Sequence, residues 1–360
     1  MSAGFTVERV EPTPARERAR LMADAPFGEV FTDHMVTVRW SAGQGWHDAR
    51  LRAHAPLVLS PAAQVFHYGQ EIFEGMKAYR TAGGAVVLFR PYANAERFAA
   101  SASRMAMPDV PAELFVGALE TLVAADREWV PAVEGHSLYL RPFMIATQPT
   151  LGFYRPAQEY LFVVIAAPAG AYFGDRPMTV WLETEYTRAA PGGTGAAKCG
   201  GNYAGTLLAQ RRAADQGCDQ VVWLRDGHVD ELGTSNLFFV YGDEVVTPPL
   251  NDTILAGITR DSVLALAAAL GHPVAERPVG VAQWRAAAEQ GRLTEVFSSG
   301  TSSMITPVGA VRAADGGFTI GDGGPGKVTT RLREELLGIQ TGVRPDPYGW
   351  VHTIAEEDSA

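Results

Sequence analysis

The chain has 360 residues, 47% of them hydrophobic and 19% charged, a length and composition that favour a globular protein of two domains with a large core. A formal net charge of -10 argues against a nucleic-acid or anionic-membrane partner, and two cysteines argue against a disulfide scaffold. With no secretory leader and no apolar stretch of membrane-spanning length, we expect a cytoplasmic protein.

The first half of the chain alternates between strand-like and helix-like segments. β-Branched and aromatic residues predict strands in "MVTVRW", "GAVVLFR", "SLYLRPFMIA" and "LFVVIAAP". Alanine-rich residues 93–107 favour a helix, and residues 112–129 carry the apolar stripe of an amphipathic helix. The Gly/Pro-rich segment "AGAYFGDRP" then predicts an interdomain connector.

The second half begins with a predicted strand, "MTVWLETEY", and a glycine-rich loop around Lys198. A helix over 203–217 and the strands "QVVWLR" and "SNLFFVYG" follow. The next helix, "GITRDSVLALAAALG", is predicted to open on a Thr259 cap and to stop at Gly271. After the strand and turn of "TEVFSSGTSSMI", a last helix is predicted in "KVTTRLREELLGIQTG".

Mixed strands and helices in two halves indicate an α+β or α/β architecture. We predict an N-terminal domain over residues 1–169, a connector over 170–177 and a C-terminal domain over 178–360.

The lone lysine of "PGGTGAAKCGGNY", Lys198, is a candidate nucleophile. A lysine in such a loop is most often a solvated charge. It attacks carbonyls only as the neutral amine, so a catalytic lysine needs a site that lowers its pKa. Flanking glycines would let the backbone approach a planar cofactor closely.

Four other features of the sequence suit a phosphorylated cofactor. Ile258 and Thr259 stand at a predicted helix N-terminus, and the Ser298–Ser303 turn offers amides and hydroxyls. Each alone is a common cap or turn, but both lie in the same half as Lys198. Arg97 could snorkel to water or clamp a phosphate. Glu231 could cap its own turn or keep a pyridine nitrogen protonated.

Two other kinds of site are disfavoured. "GDGGPGKV" resembles a phosphate-binding P-loop, but Val328 stands where that motif needs a hydroxyl for magnesium, so we interpret it as a turn before the last helix. The eight histidines show no metal-ligand spacing, and we expect no metal.

Seven stretches together resemble the branched-chain amino-acid aminotransferases, pyridoxal 5'-phosphate (PLP) enzymes of the D-amino-acid-aminotransferase-like fold (fold type IV, class IV aminotransferases). The resemblance runs from about Phe27 to Leu337 and rests on segments in the family's order: "FHYGQEIFEGMKAYR", "FRPYANAERF", "LYLRPFMI", "KCGGNYAGTLLAQ", "DELGTSN", "LAGITRDSVL" and "SSGTSSMITPV".

The resemblance implies a role for each matching residue. Lys198 would be the Schiff-base lysine and would carry the proton between the substrate α-carbon and the cofactor. Tyr203 would hydrogen-bond the phenolic oxygen of PLP, and Glu231 would pair with its pyridine nitrogen. The remaining residues fall into a phosphate group, which comprises Arg97, Ile258, Thr259 and Thr301, and a substrate group, which comprises Phe31, Tyr68, Phe73, Tyr139, Arg141, Thr234 and Ser302.

The implied reaction is the reversible transfer of an amino group from leucine, isoleucine or valine to 2-oxoglutarate. An aromatic wall suits the aliphatic side chains of these amino acids. Arg141 and the tyrosine hydroxyls would bind the distal carboxylate of 2-oxoglutarate. Alternatives within the fold are a D-amino-acid transaminase and an aminodeoxychorismate lyase. Alternatives outside it are a non-catalytic PLP-binding protein and a nucleotide-binding protein that uses residues 321–327.

The resemblance also implies a homodimer with Tyr172 in the connector over the pocket. Animal relatives carry a Cys-x-x-Cys pair after the threonine of the "SGT" turn, whereas this chain has Ser303 and Thr306 there. That thiol switch is therefore absent from the expected site. Without the thiol pair, a role in bacterial amino-acid biosynthesis is favoured.

Overall fold

The computed structural model describes residues 4–23, 26–152, 155–170 and 176–355. Most of the predicted connector at 170–177, including Tyr172, lies outside these residues. The chain divides into two compact units. Unit 1 comprises Met1–Tyr172, Ala197–Gly200 and Gly338–Ala360, and unit 2 comprises Phe173–Ala196 and Gly201–Leu337.

Unit 1 is built on a mixed sheet whose described strands follow the order β1-β3-β2-β8-β7-β5-β6-β18, with β4 paired to β7. The β1–β3 pair is parallel, and all other pairs are antiparallel. The strands are β1 (Thr6–Val7), β2 (His34–Ser41), β3 (Gly45–Ala53), β4 (Glu71–Phe73), β5 (Met76–Arg80), β6 (Val86–Phe89), β7 (Ser137–Ala146), β8 (Glu159–Ala169) and β18 (Val351–Thr353).

One face of this sheet carries the core of unit 1. The helices are α1 (Ala15–Ala23), α2 (Gln64–Tyr68), α3 (Pro91–Arg104) and α4 (Ala112–Ala125), followed by a short 3-10 turn at Arg127–Trp129. Phe98 of α3 and Phe115 of α4 pack with Leu138 and Leu140 of β7 in one buried cluster. Because side chains alternate along a strand, Tyr139 and the other odd-numbered residues of β7 project from the opposite face.

Unit 2 also contains a mixed sheet, ordered β11-β10-β9-β16-β15-β12-β13-β14, with β17 paired to β16. Its parallel pairs are β9–β10, β9–β16 and β13–β14. The strands are β9 (Met178–Glu183), β10 (Gln220–Arg225), β11 (His228–Leu232), β12 (Asn236–Tyr241), β13 (Glu244–Thr247), β14 (Val274–Glu276), β15 (Leu293–Gly300), β16 (Met304–Ala313) and β17 (Gly316–Thr319).

The helices of this half are α5 (Gly201–Ala204), α6 (Leu207–Asp215), α7 (Ile258–Ala269), α8 (Val281–Glu289) and α9 (Lys327–Gln340), whose last residues belong to unit 1. Of these, α6, α7 and α8 pack against the second sheet. Trp284 of α8 lies in a buried cluster with Val222 of β10, while Val221 and Trp223 pack with α6. Because side chains alternate along a strand, the two faces of β10 belong to two different buried clusters.

The strands and long helices confirm the expected mixed two-unit architecture. Two predicted details are wrong. Thr259 does not cap α7: Gly257 is the N-cap, in an extended conformation, and it has no side chain that could bond the first turn. The helix predicted over 203–217 is broken into α5 and α6 by a turn at Gly205–Thr206, because glycine is a poor helix former.

The P-loop-like segment is the turn before α9, as interpreted from the sequence. The carboxylate of Glu295 accepts hydrogen bonds from the backbone N–H groups of Val328 (3.0 Å) and Thr329 (2.8 Å) and from the Thr329 hydroxyl (2.7 Å). A protein carboxylate therefore occupies the helix N-terminus where a nucleotide phosphate would bind. No helix within the described residues is both long and apolar enough to span a membrane.

Candidate active site

Hydrogen bonds to other residues of unit 1 hold the segment that carries Lys198. The Lys198 N–H donates to the Ser101 hydroxyl of α3 (3.0 Å), and the Lys198 carbonyl accepts from the Phe73 N–H of β4 (3.0 Å). Two residues on, the Gly200 N–H donates to the Glu71 carboxylate. These three bonds fix the backbone of a loop that is otherwise conformationally permissive, and so fix where the lysine side chain starts.

The environment of Lys198 disfavours its charged form. The pKa of this amine is lowered from 10.5 to about 8. Loss of hydration on burial is the largest cause; the Arg97 guanidinium lowers the pKa further and the Glu74 carboxylate opposes it. The Nζ atom lies 4.8 Å from the centre of the Phe73 ring. A substantial neutral fraction is therefore present near pH 8, as a lysine nucleophile requires.

Arg97 projects from α3 toward a buried carboxylate. Its Nε and Nη2 donate to the two oxygens of Glu74, at 2.7 and 2.8 Å. Glu74 is fully buried, and one of its oxygens also accepts from the Gly75 N–H at 3.1 Å. Such a planar, two-point pair fixes the plane of the guanidinium. Glu74 was not singled out from the sequence.

Aromatic rings and a second arginine surround Lys198. The Arg141 Nη2 donates to the Tyr139 hydroxyl (3.1 Å), and the Arg141 guanidinium lies 4.8 Å from the Phe73 ring centre. The Tyr139 ring meets Phe27 edge to face at 4.9 Å. A Cβ atom on Gly75 would lie 1.9 Å from the Tyr139 hydroxyl oxygen, so only glycine fits there. Phe27 is a further contact that the sequence analysis did not assign.

Phe31 and Tyr68 also lie in unit 1, and each contacts another residue of that unit. Phe31 stacks on the His54 ring, with centroids 4.8 Å apart. Tyr68 is exposed, and its hydroxyl donates to the Leu151 carbonyl. The structure thus groups Lys198 with Phe73, Arg97, Tyr139 and Arg141, as the pKa and ring contacts show. Their assigned roles as site residues stay predictions.

In unit 2, Glu231 on β11 is buried and surrounded by donors. The Arg188 Nε lies 2.7 Å from its Oε2. The Leu255 N–H donates to Oε1 at 3.0 Å, and the Asn236 amide approaches the same oxygen at 3.4 Å. Three donors favour the ionised carboxylate. Arg188 also donates to the carbonyls of Gly195 and Thr253, at 3.0 and 2.7 Å.

The predicted phosphate and carboxylate residues of unit 2 lie in turns and at a helix start. Ile258 and Thr259 are the first two residues of α7. Thr301 and Ser302 lie in the turn between β15 and β16, and exposed Thr234 lies in the turn between β11 and β12. Tyr203 is half-buried on the short helix α5. Since β12 and β15 are paired, with Asn236 opposite Ser299, these two turns occupy the same end of adjacent strands.

A buried lysine, a paired arginine and a buried carboxylate occur in enzymes that use several different cofactors. Comparison with known proteins identifies the family to which these residues belong. Residues 71–311 match the amino-transferase class IV family. The chain belongs to the class IV aminotransferases.

Relatives of this aminotransferase cover nearly its whole length. It is 53% identical, over 96% of both chains, to a probable branched-chain-amino-acid aminotransferase of Streptomyces coelicolor. It is 49% identical to a branched-chain-amino-acid aminotransferase of Mycobacterium tuberculosis, over 97% of this chain and 98% of that one. The match to the family confirms the fold class, and with it the resemblance inferred from the motifs.

Solved structures of similar proteins agree. The branched-chain amino-acid aminotransferase of Escherichia coli superposes with a TM-score of 0.73 at 28% identity, over 88% of this chain and 99% of that one. A second branched-chain amino-acid aminotransferase, that of T.th. with pyridoxamine 5'-phosphate, gives a TM-score of 0.72 at 31% identity, over 88% and 98% of the two chains. The fold of this class IV aminotransferase is therefore one that accommodates a vitamin B6 cofactor in a related enzyme.

Proposed function

We propose that this aminotransferase exchanges amino groups between the branched-chain L-amino acids leucine, isoleucine and valine and 2-oxoglutarate, with pyridoxal 5'-phosphate as cofactor. The observation that carries the proposal is Lys198, whose backbone makes two hydrogen bonds, with a third at Gly200, and whose pKa is lowered to about 8. The names of relatives about 50% identical over nearly the full length support the substrate class.

The residues of both units fit the cofactor chemically. A lysine with a large neutral fraction near pH 8 suits an aldehyde, and a carboxylate held ionised by Arg188 suits a pyridinium nitrogen. When bound, PLP supplies an electron sink for the bond that breaks at the substrate α-carbon. We assign Glu231 to the ring nitrogen, Tyr203 to the phenolic oxygen, and to the phosphate Arg97, Ile258, Thr259 and Thr301.

Lys198 has two tasks in this proposal. Its amine would hold the cofactor at the aldehyde carbon, and the free amine would move a proton between the substrate α-carbon and that same carbon. The second task needs a base whose pKa lies near the working pH. A pKa of about 8 meets that need, whereas an ordinary lysine at 10.5 stays almost fully protonated.

The substrate side chain is assigned to the aromatic cluster. Phe73 and Tyr139 offer apolar area for aliphatic side chains, and we add Phe31 and Tyr68 to this wall. Arg141 contacts both Phe73 and Tyr139, so a distal carboxylate would find a cation inside an otherwise apolar lining. The α-carboxylate is assigned to Thr234 and to the backbone of Ser302.

We further propose that the enzyme is a homodimer and is cytoplasmic. Exposed apolar side chains at Phe66, Tyr68 and Leu151 support a partner surface in unit 1. An acidic chain with two buried, free cysteines fits a reducing compartment. Sedimentation of the purified protein tests the oligomeric state: a dimer mass supports the proposal and a monomer mass contradicts it.

The activity is tested by the absorption spectrum of the purified holoenzyme. L-Leucine should shift the cofactor band from the aldehyde to the amine form, and 2-oxoglutarate should restore it. D-Alanine is the control, because a D-amino-acid transaminase would respond to it. A spectrum unmoved by L-leucine but moved by D-alanine would overturn the substrate assignment, and no change with either would indicate a non-catalytic PLP-binding protein.

A further inference from the structure

Two serine hydroxyls join the turns to which the substrate α-carboxylate is assigned. The Ser235 and Ser303 hydroxyl oxygens lie 3.1 Å apart. Ser235 closes the turn that carries Thr234, and Ser303 closes the turn that carries Thr301 and Ser302. Both serines are half-buried. A hydroxyl pair of this length is a hydrogen bond, and it links two segments separated by 68 residues.

Gly300, which has no side chain, leaves room for the two serine hydroxyls. A Cβ atom on Gly300 would lie 2.9 Å from the Ser235 hydroxyl oxygen and 3.1 Å from that of Ser303. Both hydroxyls therefore sit against the open side of this glycine. Any larger residue at position 300 would displace at least one of the two hydroxyls.

The second turn is also conformationally strained. Gly300 pairs with Met304 across a three-residue loop, and Met304 has φ +53°, a left-handed conformation that usually needs glycine. Such a residue costs on the order of 1 kcal/mol and persists only where its surroundings hold it. The Thr306 hydroxyl donates to the Ser303 carbonyl at 2.6 Å, so Ser303 is fixed through both its backbone and its side chain.

We propose that the Ser235–Ser303 hydrogen bond is a positioning device for the substrate carboxylate: it sets the spacing between Thr234 and the Ser302 backbone. This inference rests on the proposed function. Removing either hydroxyl leaves the turns attached to their strands but lets their tips separate. Binding of a carboxylate between the two turns then loses an aligned partner, while Lys198, Arg97 and Glu231 keep their own contacts.

The test measures the affinity of the PLP holoenzyme for 4-methylvalerate, which carries the leucine skeleton and carboxylate but no amino group. Ser235→Ala and Ser303→Ala should each raise its Kd by about three- to tenfold, the range expected for one lost hydrogen bond. The double variant should lose no more than either single variant, because both remove the same bond. KM for L-leucine should rise in parallel, with kcat within about twofold.

Controls separate positioning from general stability. Ser235→Thr and Ser303→Thr keep the hydroxyl and should retain affinity. Thr294→Val removes a hydroxyl that bonds Val240 across the same two strands at their other end, and should leave the Kd unchanged. Alanine variants that bind 4-methylvalerate as tightly as the wild type, or losses that add in the double variant, would overturn the inference. A wild-type protein that binds none would instead contradict the proposed function.

Discussion

The Arg188 guanidinium and the Glu231 carboxylate form an ion pair of 2.7 Å in which both side chains are more than nine-tenths buried. Removing one partner of such a pair leaves an uncompensated charge in a dry environment, which is costly. The pair gives β11 and the segment before Lys198 a common anchor, since Arg188 also binds the Gly195 carbonyl. It also keeps Glu231 ionised, as an acid assigned to a pyridinium nitrogen must be.

We expect Arg188→Met to lower the free energy of unfolding by about 3 kcal/mol, because Glu231 is left buried without its cation. Denaturant unfolding of the apoprotein measures this directly. Arg212→Met is the matched control, since Arg212 pairs with Glu185 at an exposed site and its loss should change the free energy of unfolding far less. Equal losses in the two variants would show that the buried pair has no special role.

Glu74→Gln should act on both Arg97 and Lys198. The amide cannot hold the guanidinium through two charged bonds, so the affinity for PLP should fall by about tenfold. Because Glu74 raises the pKa of Lys198 against the effect of Arg97, its neutralisation should move that pKa below 8. The pH dependence of PLP association with the apoprotein measures both effects.

The control for this variant is Glu120→Gln, which removes an exposed carboxylate that bonds His352. It should change neither the PLP affinity nor the midpoint of the pH dependence. A Glu74→Gln protein with an unshifted or raised midpoint would contradict the electrostatic account of Lys198.

Gly75→Ala should damage the substrate pocket without unfolding the protein. The new methyl group would overlap the Tyr139 hydroxyl and lie 2.8 Å from the ring carbon that bears it, so the ring must shift and its hydrogen bond with Arg141 is disturbed. We expect kcat/KM for L-leucine to fall at least about tenfold. Gly43→Ala, where a Cβ meets nothing within 4 Å, is the control. Full activity of Gly75→Ala would show that the Tyr139 position is irrelevant.

Lys77 carries a pH-dependent cost to stability. It is buried on β5 beside Tyr139, and burial lowers its pKa from 10.5 to about 8. A lowered pKa means that the folded state disfavours the charged form, so the cost is complete below about pH 8 and vanishes as the pH rises past 10.5. Lys77→Met should therefore raise the unfolding free energy at pH 7, by up to about 3 kcal/mol.

This gain should disappear near pH 10.5, the ordinary pKa of the amine. Comparing the unfolding of both proteins across this range checks the sign as well as the size, and Lys198 contributes equally to both proteins. A gain that stayed constant with pH would come from packing alone, and a loss at pH 7 would mean that the Lys77 amine has a stabilising partner.

The sequence predicted strands and long helices well where local signals were strong. Ser137–Ala146 was predicted with its observed limits, since alternating β-formers need no tertiary context. The predicted start of α7 was wrong because N-cap propensities favour threonine over glycine, and so favoured Thr259 over Gly257. Such propensities do not take account of the tertiary structure around the helix start. The packing of the chain after Gly338 with unit 1 comes from the pairing of β18 with β6, a long-range contact with no local signal.

The candidate site was predicted mainly through the family's motifs. Lys198 stood out by chemistry alone, but its lowered pKa comes first from burial and then from Arg97, about a hundred residues earlier in the chain. Arg188 lies in a stretch with no motif, so its pairing with Glu231 could be found only in three dimensions. Glu74 lies within the stretch "FHYGQEIFEGMKAYR", between apolar neighbours. A carboxylate among apolar residues is often buried and paired, so this pattern could have predicted the ion pair.

The central claim is that the amine of Lys198 is covalently joined to the cofactor in the resting enzyme. Borohydride reduction of the holoenzyme followed by peptide mapping tests it most directly. We expect one stable phosphopyridoxyl adduct, on Lys198, and no adduct on the similarly buried Lys77. A label on Lys77 or another lysine, with Lys198 unmodified, would contradict it.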